Sequence, residues 1–128
     1  MAIRIVRLGD PRARGEGLRL GTVRHPPRGV PKRDLAARDF YDVWLPELAP
    51  SAELVRRART VEGERAWSAF EKAYRREMAA PAAGRLLELL AALSQTTDFA
   101  VGCYCADKAR CHRSLLRALL EAHGAQLA

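Results

Sequence analysis

Aromatic residues are scarce, at 6% of 128 residues, and the chain has only three cysteines, three histidines and two methionines. With Trp67, Phe70 and Tyr74 committed to one helical stripe, few aromatics are left for the stacking platform that binds single-stranded bases. Tyr41 and Tyr104 are the remaining candidates for such a surface. The odd number of cysteines, all within residues 103–111, argues against the disulfide framework of a small secreted domain. No apolar run approaches the roughly 20 residues of a membrane-spanning helix, and the chain has no internal repeat or low-complexity tract. Met1-Ala2-Ile3-Arg4-Ile5-Val6-Arg7 has its apolar run broken by arginines, so it reads as a first strand rather than a signal peptide. The expectation is a cytoplasmic protein with reduced thiols and no membrane partner.

Acidic residues are missing where cations are concentrated. Residues 1–33 hold nine cations against Asp10 and Glu16, whereas residues 34–128 hold thirteen of each sign. The net charge of +7 therefore comes entirely from the N-terminal quarter. That asymmetry predicts a basic patch with an anionic partner: phosphate, nucleotide or nucleic acid.

The length suits one domain over residues 1–128, able to bury about two thirds of its unfolded surface. Ile3 to Leu8 and Leu18 to Val23 read as strands, separated by a loop rich in glycine. The three prolines of Pro26, Pro27 and Pro31 end the second strand, and Lys32 to Trp44 reads as partly helical. Ser51 is an N-cap for a helix over 52–59. Trp67, Phe70, Tyr74 and Met78 recur at helical spacing over 62–79, a core-facing stripe. Pro81 starts a helix whose Leu86, Leu87, Leu89, Leu90 and Leu93 are expected to face inward. Thr96 to Tyr104 is a third strand, apolar enough to be buried on both faces. A last helix carries Leu115, Leu116, Leu119 and Leu120 and stops at Gly124. The alternation predicts an α/β fold, a small and mainly parallel sheet of three strands or slightly more flanked by helices.

In such sheets ligands bind beyond the carboxyl ends of the strands. Here each predicted strand runs into a basic loop: Arg12 and Arg14, then Arg24 and Arg28, then Arg110 and Arg113. The third loop also enters a helix N-terminus, whose backbone N–H groups and dipole favour an anion. Lys108, Arg110 and Arg113 crowd that helix start against Asp107 alone, an arrangement the dipole opposes by about 0.3–1 kcal/mol per cation unless an anion sits among them. Arg24, Arg28, Arg110, Arg113 and Ser114 are accordingly the candidate anion ligands. His25, Asp107, Cys111 and His112 are the candidate proton-transfer or nucleophilic groups, Cys111 because a helix N-terminus beside arginines lowers a thiol pKa. His123, near the last helix's C-terminus, has a structural place there.

Cys103, Cys105, Cys111 and His112 form an alternative reading as zinc ligands. Against it, Cys111 and His112 are adjacent, and zinc sites usually use Cys-x2-Cys pairs. The default is no cofactor, with reduced cysteines that pack as small apolar groups.

Several of these stretches together resemble the YeaO-like family, the domain of unknown function numbered 488. They are Gly17-Leu18-Arg19; Arg24 with Pro27-Arg28-Gly29-Val30 and Lys32; Leu48-Ala49-Pro50-Ser51-Ala52-Glu53-Leu54; Trp67, Phe70, Tyr74 and Glu77; and Cys111-His112-Arg113-Ser114-Leu115, preceded at the family's spacing by Cys103. The resemblance spans nearly the whole chain and implies a small α/β domain without implying an activity. Where relatives read Asp-Arg-Leu-Trp-Pro-Arg-Gly, this chain has Val23-Arg24-His25-Pro26-Pro27-Arg28-Gly29. A carboxylate and an indole are lost there, and the two arginines remain. The function read from the sequence is a basic site for a phosphate-bearing small molecule or nucleotide, in a small enzyme acting on it. The alternatives are a nucleic-acid-binding or interaction module without catalysis, and a cysteine-histidine metal or thiol-redox protein.

Overall fold

The computed structural model describes residues 1–59, 62–105 and 111–128. Among these, four strands form one sheet: β1 (Ile3–Arg7), β2 (Leu18–Gly21), β3 (Val43–Trp44) and β4 (Phe99–Cys103). Their order is β1-β4-β2-β3, and every pairing is parallel. The α/β expectation holds, with one strand more than the three predicted. The extra strand lies in the segment expected to be partly helical, where a single 3₁₀ turn at Lys32–Asp34 precedes the two-residue β3.

Four helices accompany the sheet among the described residues: α1 (Ala52–Ala58), α2 (Gly63–Met78), α3 (Pro81–Leu93) and α4 (His112–Ala122). Ser51 caps α1, its side chain accepting the Leu54 N–H at 3.3 Å, and Pro81 occupies the first turn of α3, where its missing N–H costs nothing. None of the helices is long and apolar enough to cross a membrane.

Register explains how the two faces of the sheet differ. Ile5, Val101 and Leu20 are paired across β1, β4 and β2, so their side chains share a face. They pack with Phe70, Tyr74, Leu87, Leu116 and Leu120 from the helices. Each such buried side chain stabilises by roughly 1.5–3 kcal/mol. In α3, only part of the expected leucine stripe serves this core: Leu87 and Leu90 are buried, Leu86 is half-buried, and Leu89 and Leu93 are exposed. A single helix against a sheet needs only one stripe, so five leucines in eight positions exceed what it can bury.

The opposite face carries Arg4, Ala100 and Arg19, then Val6, Gly102 and Gly21. Residues 8–42 cover it with Leu8, Val23, Leu35 and Tyr41. Glycine is required here by close approach. A Cβ on Gly21 would lie 2.4 Å from the Tyr41 ring, and one on Gly102 would lie 2.5 Å from the Val6 carbonyl oxygen. The same face holds Arg19, fully buried and gripped by Glu16 through Nε at 2.8 Å and Nη2 at 2.9 Å. Its Nη1 donates to the carbonyls of Asp10 at 2.8 Å and Asp39 at 2.7 Å. Arg19 therefore ties two loop segments, the β1–β2 loop through Asp10 and Glu16 and the segment at Asp39, to the sheet.

Candidate functional site

All four strands being parallel, their carboxyl ends meet at one edge of the sheet, and Cys103 of β4 meets Cys111 at the start of α4 there. β4 ends at Cys103, Tyr104 and Cys105 follow, and Cys111 is the N-cap of α4. Cys111 is extended, at φ −135° and ψ 150°, and His112 opens the helix. This change of backbone conformation between neighbours turns both side chains toward β4. The objection that adjacent residues face apart is thereby removed.

Cys103 and Cys111 bring their Sγ atoms to 2.8 Å, and His112 Nδ1 lies 3.9 Å from Cys111 Sγ. The two sulfurs and a ring nitrogen of His112 all lie within 4.8 Å of one another. His112 Nε2 donates to the Thr22 carbonyl at 2.8 Å. A carbonyl only accepts, so Nε2 carries the ring proton and Nδ1 presents a lone pair to the sulfurs. Burial holds the imidazole pKa below its usual value, against the opposing pull of the Thr22 hydrogen bond. All three residues are buried, whereas Cys105 is exposed. Cys105 also lies past the end of β4, so it does not share a regular strand face with Cys103. Hydrogen bonding to Cys105 and to Cys111, reinforced by burial, pushes the Cys103 thiol up. The hydrogen bonds from Cys103 and Cys111 push Cys105 well down, helped by the nearby His112 and Arg113.

The predicted anion ligands separate into two groups. Arg113 and Ser114 line a cleft of about 760 Å³ together with Arg4, Arg7 and Arg117. Arg24, His25 and Arg28 line a different cavity of about 610 Å³ with Cys103, Cys105 and His112. Arg24 is largely occupied: Nε donates to the Pro50 carbonyl at 3.0 Å, and Nη2 to those of Pro46 at 3.0 Å and Ala49 at 3.2 Å. His25 and Arg28 are exposed at the rim, and the His25 carbonyl accepts the Tyr104 hydroxyl at 3.0 Å. Ser114 Oγ donates back to the Cys111 carbonyl at 2.9 Å. Asp107, Lys108 and Arg110 lie outside the described residues.

Arg113 is the unusual member. Its side chain is only 1% exposed, Nη2 donates to the Cys105 carbonyl, and Nε and Nη1 have no hydrogen-bond acceptor among the described residues. Arg4, Arg7 and Arg117 are not among the ligands expected from the sequence: the first two lie in the first strand, and Arg117 is exposed on α4. The retrievable signal was the 3.6-residue period that places Arg117 one turn beyond Arg113. Of the N-terminal cations, Arg12 is committed to Asp42 at 2.8 Å and Asp39 at 3.3 Å, and Arg19 to Glu16. Part of the basic excess is thus spent on structure.

No curated protein and no solved structure matches this chain. The family model described as the active DUF488-N3 subclade matches residues 3–124, and the chain belongs to that family, the YeaO-like group whose arginine and cysteine motifs it resembles.

Proposed function

We propose that this protein binds a phosphate-bearing small molecule or nucleotide in the cleft beside the N-terminus of α4. The observation that carries this reading is the buried Arg113 guanidinium with two unmatched donors. Leaving a buried charged donor unmade is costly, and a phosphate oxygen pair matches the fork of an arginine. The N-terminus of α4 adds its dipole at the same place. Arg4, Arg7 and Arg117 on the cleft wall raise the local anion concentration. A volume of about 760 Å³ falls in the range of small-molecule sites. Tyr41 is buried against Gly21 and is no base-stacking platform, while the half-buried Tyr104 packs edge-on to Phe40 with ring centroids 6.3 Å apart.

Calorimetric titration with inorganic phosphate and with a nucleoside monophosphate, at fixed ionic strength, tests the proposal. Saturable binding is expected, weakened by the surface charge reversals Arg4→Glu and Arg117→Glu. Absence of saturable heat for both ligands would overturn it.

A further inference from the structure

We propose that Cys103, Cys111 and His112 form a binding site for a soft divalent cation, zinc above all, and that the fourth position of this site opens toward the cavity lined by Cys105. Two sulfurs and an imidazole nitrogen are the donor set that suits zinc rather than calcium or magnesium. Their ligand atoms already lie within 4.8 Å of one another. Tetrahedral zinc with bonds of about 2.3 Å to sulfur sets two sulfurs about 3.8 Å apart, so the present 2.8 Å pair opens by about 1 Å to admit the ion.

A second observation is independent of the sulfurs. A histidine that ligates a metal almost always donates its other ring N–H to a carbonyl or carboxylate, which fixes its tautomer and orientation. His112 does this to Thr22. That carbonyl is itself held in place, since the Thr22 N–H and Oγ1 both donate to the Gly102 carbonyl, at 3.0 and 2.9 Å. The Tyr74 ring stands edge-on to the imidazole, with centroids 5.7 Å apart. The ring is thus positioned before any metal arrives, with its free nitrogen toward the thiols. Three protein ligands leave a fourth position, on the side of Cys105, whose thiol hydrogen-bonds to both sulfurs, and of the cavity of about 610 Å³ that Cys103, Cys105 and His112 line. The site shares no ligand with the arginine cleft, so it stands whether or not phosphate binds there.

The full chain, reduced, stripped with a chelator and desalted, is reloaded separately with zinc and with cobalt. The expected result is one zinc retained per chain after a second desalting step. The cobalt form is expected to show strong tetrahedral visible absorption and a thiolate-to-cobalt charge-transfer band in the near ultraviolet. Cys111→Ser and His112→Gln are each expected to lose the retained metal. Should those variants fail to fold, the cobalt spectrum of the native chain decides alone. No retained metal, a weak octahedral cobalt spectrum, or a Cys103–Cys111 disulfide formed in place of metal uptake would overturn the proposal.

Discussion

Arg19 and Arg113 are each 1% exposed, yet the protein treats them in opposite ways. Arg19 sits on the loop-covered face with Glu16 across two of its nitrogens and two carbonyls on the third. Arg113, in the first turn of α4, has one carbonyl and, among the described residues, two nitrogens without an acceptor. Burial alone therefore says little about an arginine's purpose, and the accounting of its donors says a great deal. A buried charge with every partner present is architecture. One with partners missing, at a helix N-terminus and on the wall of a cleft, is what the proposed function takes as a receptor for an anion.

The largest effect that would break this contrast is expected at Arg19. Arg19→Met strands the Glu16 carboxylate in a buried position and should cost about 3–5 kcal/mol in urea unfolding. Arg113→Met removes a charge that the ligand-free fold leaves half matched, and should be neutral or stabilising by comparison. Equal losses in the two variants would erase the distinction.

Acid should act on the same side of the contrast. Burial tends to raise the Glu16 pKa, but the Arg19 guanidinium and the Ala13 N–H outweigh it and hold the carboxyl below its usual range. Asp42 is likewise lowered, its burial overcome by Arg12 and the Arg19 N–H. With folded values depressed, both groups contribute stability that is fully present above the unfolded carboxylate pKa of about 4. That contribution is lost as the pH falls through the folded values. Unfolding free energy measured against pH should decline across this acidic range, with a shallower decline in Glu16→Gln. An identical slope in the variant would show that the buried pair does not drive it.

The smallest effect belongs to an arginine at the surface. Arg75 and Glu71 form an i,i+4 pair at 3.2 Å with both side chains more than a third exposed. Arg75→Ala should cost only about 0.3–0.5 kcal/mol, and less at high salt. A cost approaching that of Arg19→Met would mean that exposure, rather than burial with full pairing, sets the scale.

Much of the fold was legible because hydrophobic period and punctuation agree with it. The Trp67, Phe70, Tyr74 and Met78 stripe, Ser51 as a cap and the continuous apolar run of β4 all survive in the structure. β3 was not legible, since two exposed residues, Val43 and Trp44, carry no alternation to read. The position of Arg113 and Ser114 at the start of α4 was legible, but the separation of the candidate ligands between two cavities was not. Arg24 is captured by the carbonyls of the 46–50 turn, a contact between segments distant in sequence that no local pattern encodes. The Cys103–Cys111–His112 cluster was legible as a set of donors. Its convergence depends on the switch from extended to helical backbone at Cys111, which only the three-dimensional fold supplies.

The central claim is that Arg113 waits for an anion, and thermal unfolding of wild type and Arg113→Met, with and without inorganic phosphate at constant ionic strength, tests it most directly. Phosphate at about a hundredfold excess over its dissociation constant should stabilise the wild type by about 2.7 kcal/mol, a rise of several degrees in Tm. It should leave Arg113→Met unmoved, with the variant's phosphate-free Tm at or above that of the wild type. Equal phosphate stabilisation of both proteins, or a phosphate-free Arg113→Met as unstable as Arg19→Met, would contradict the account.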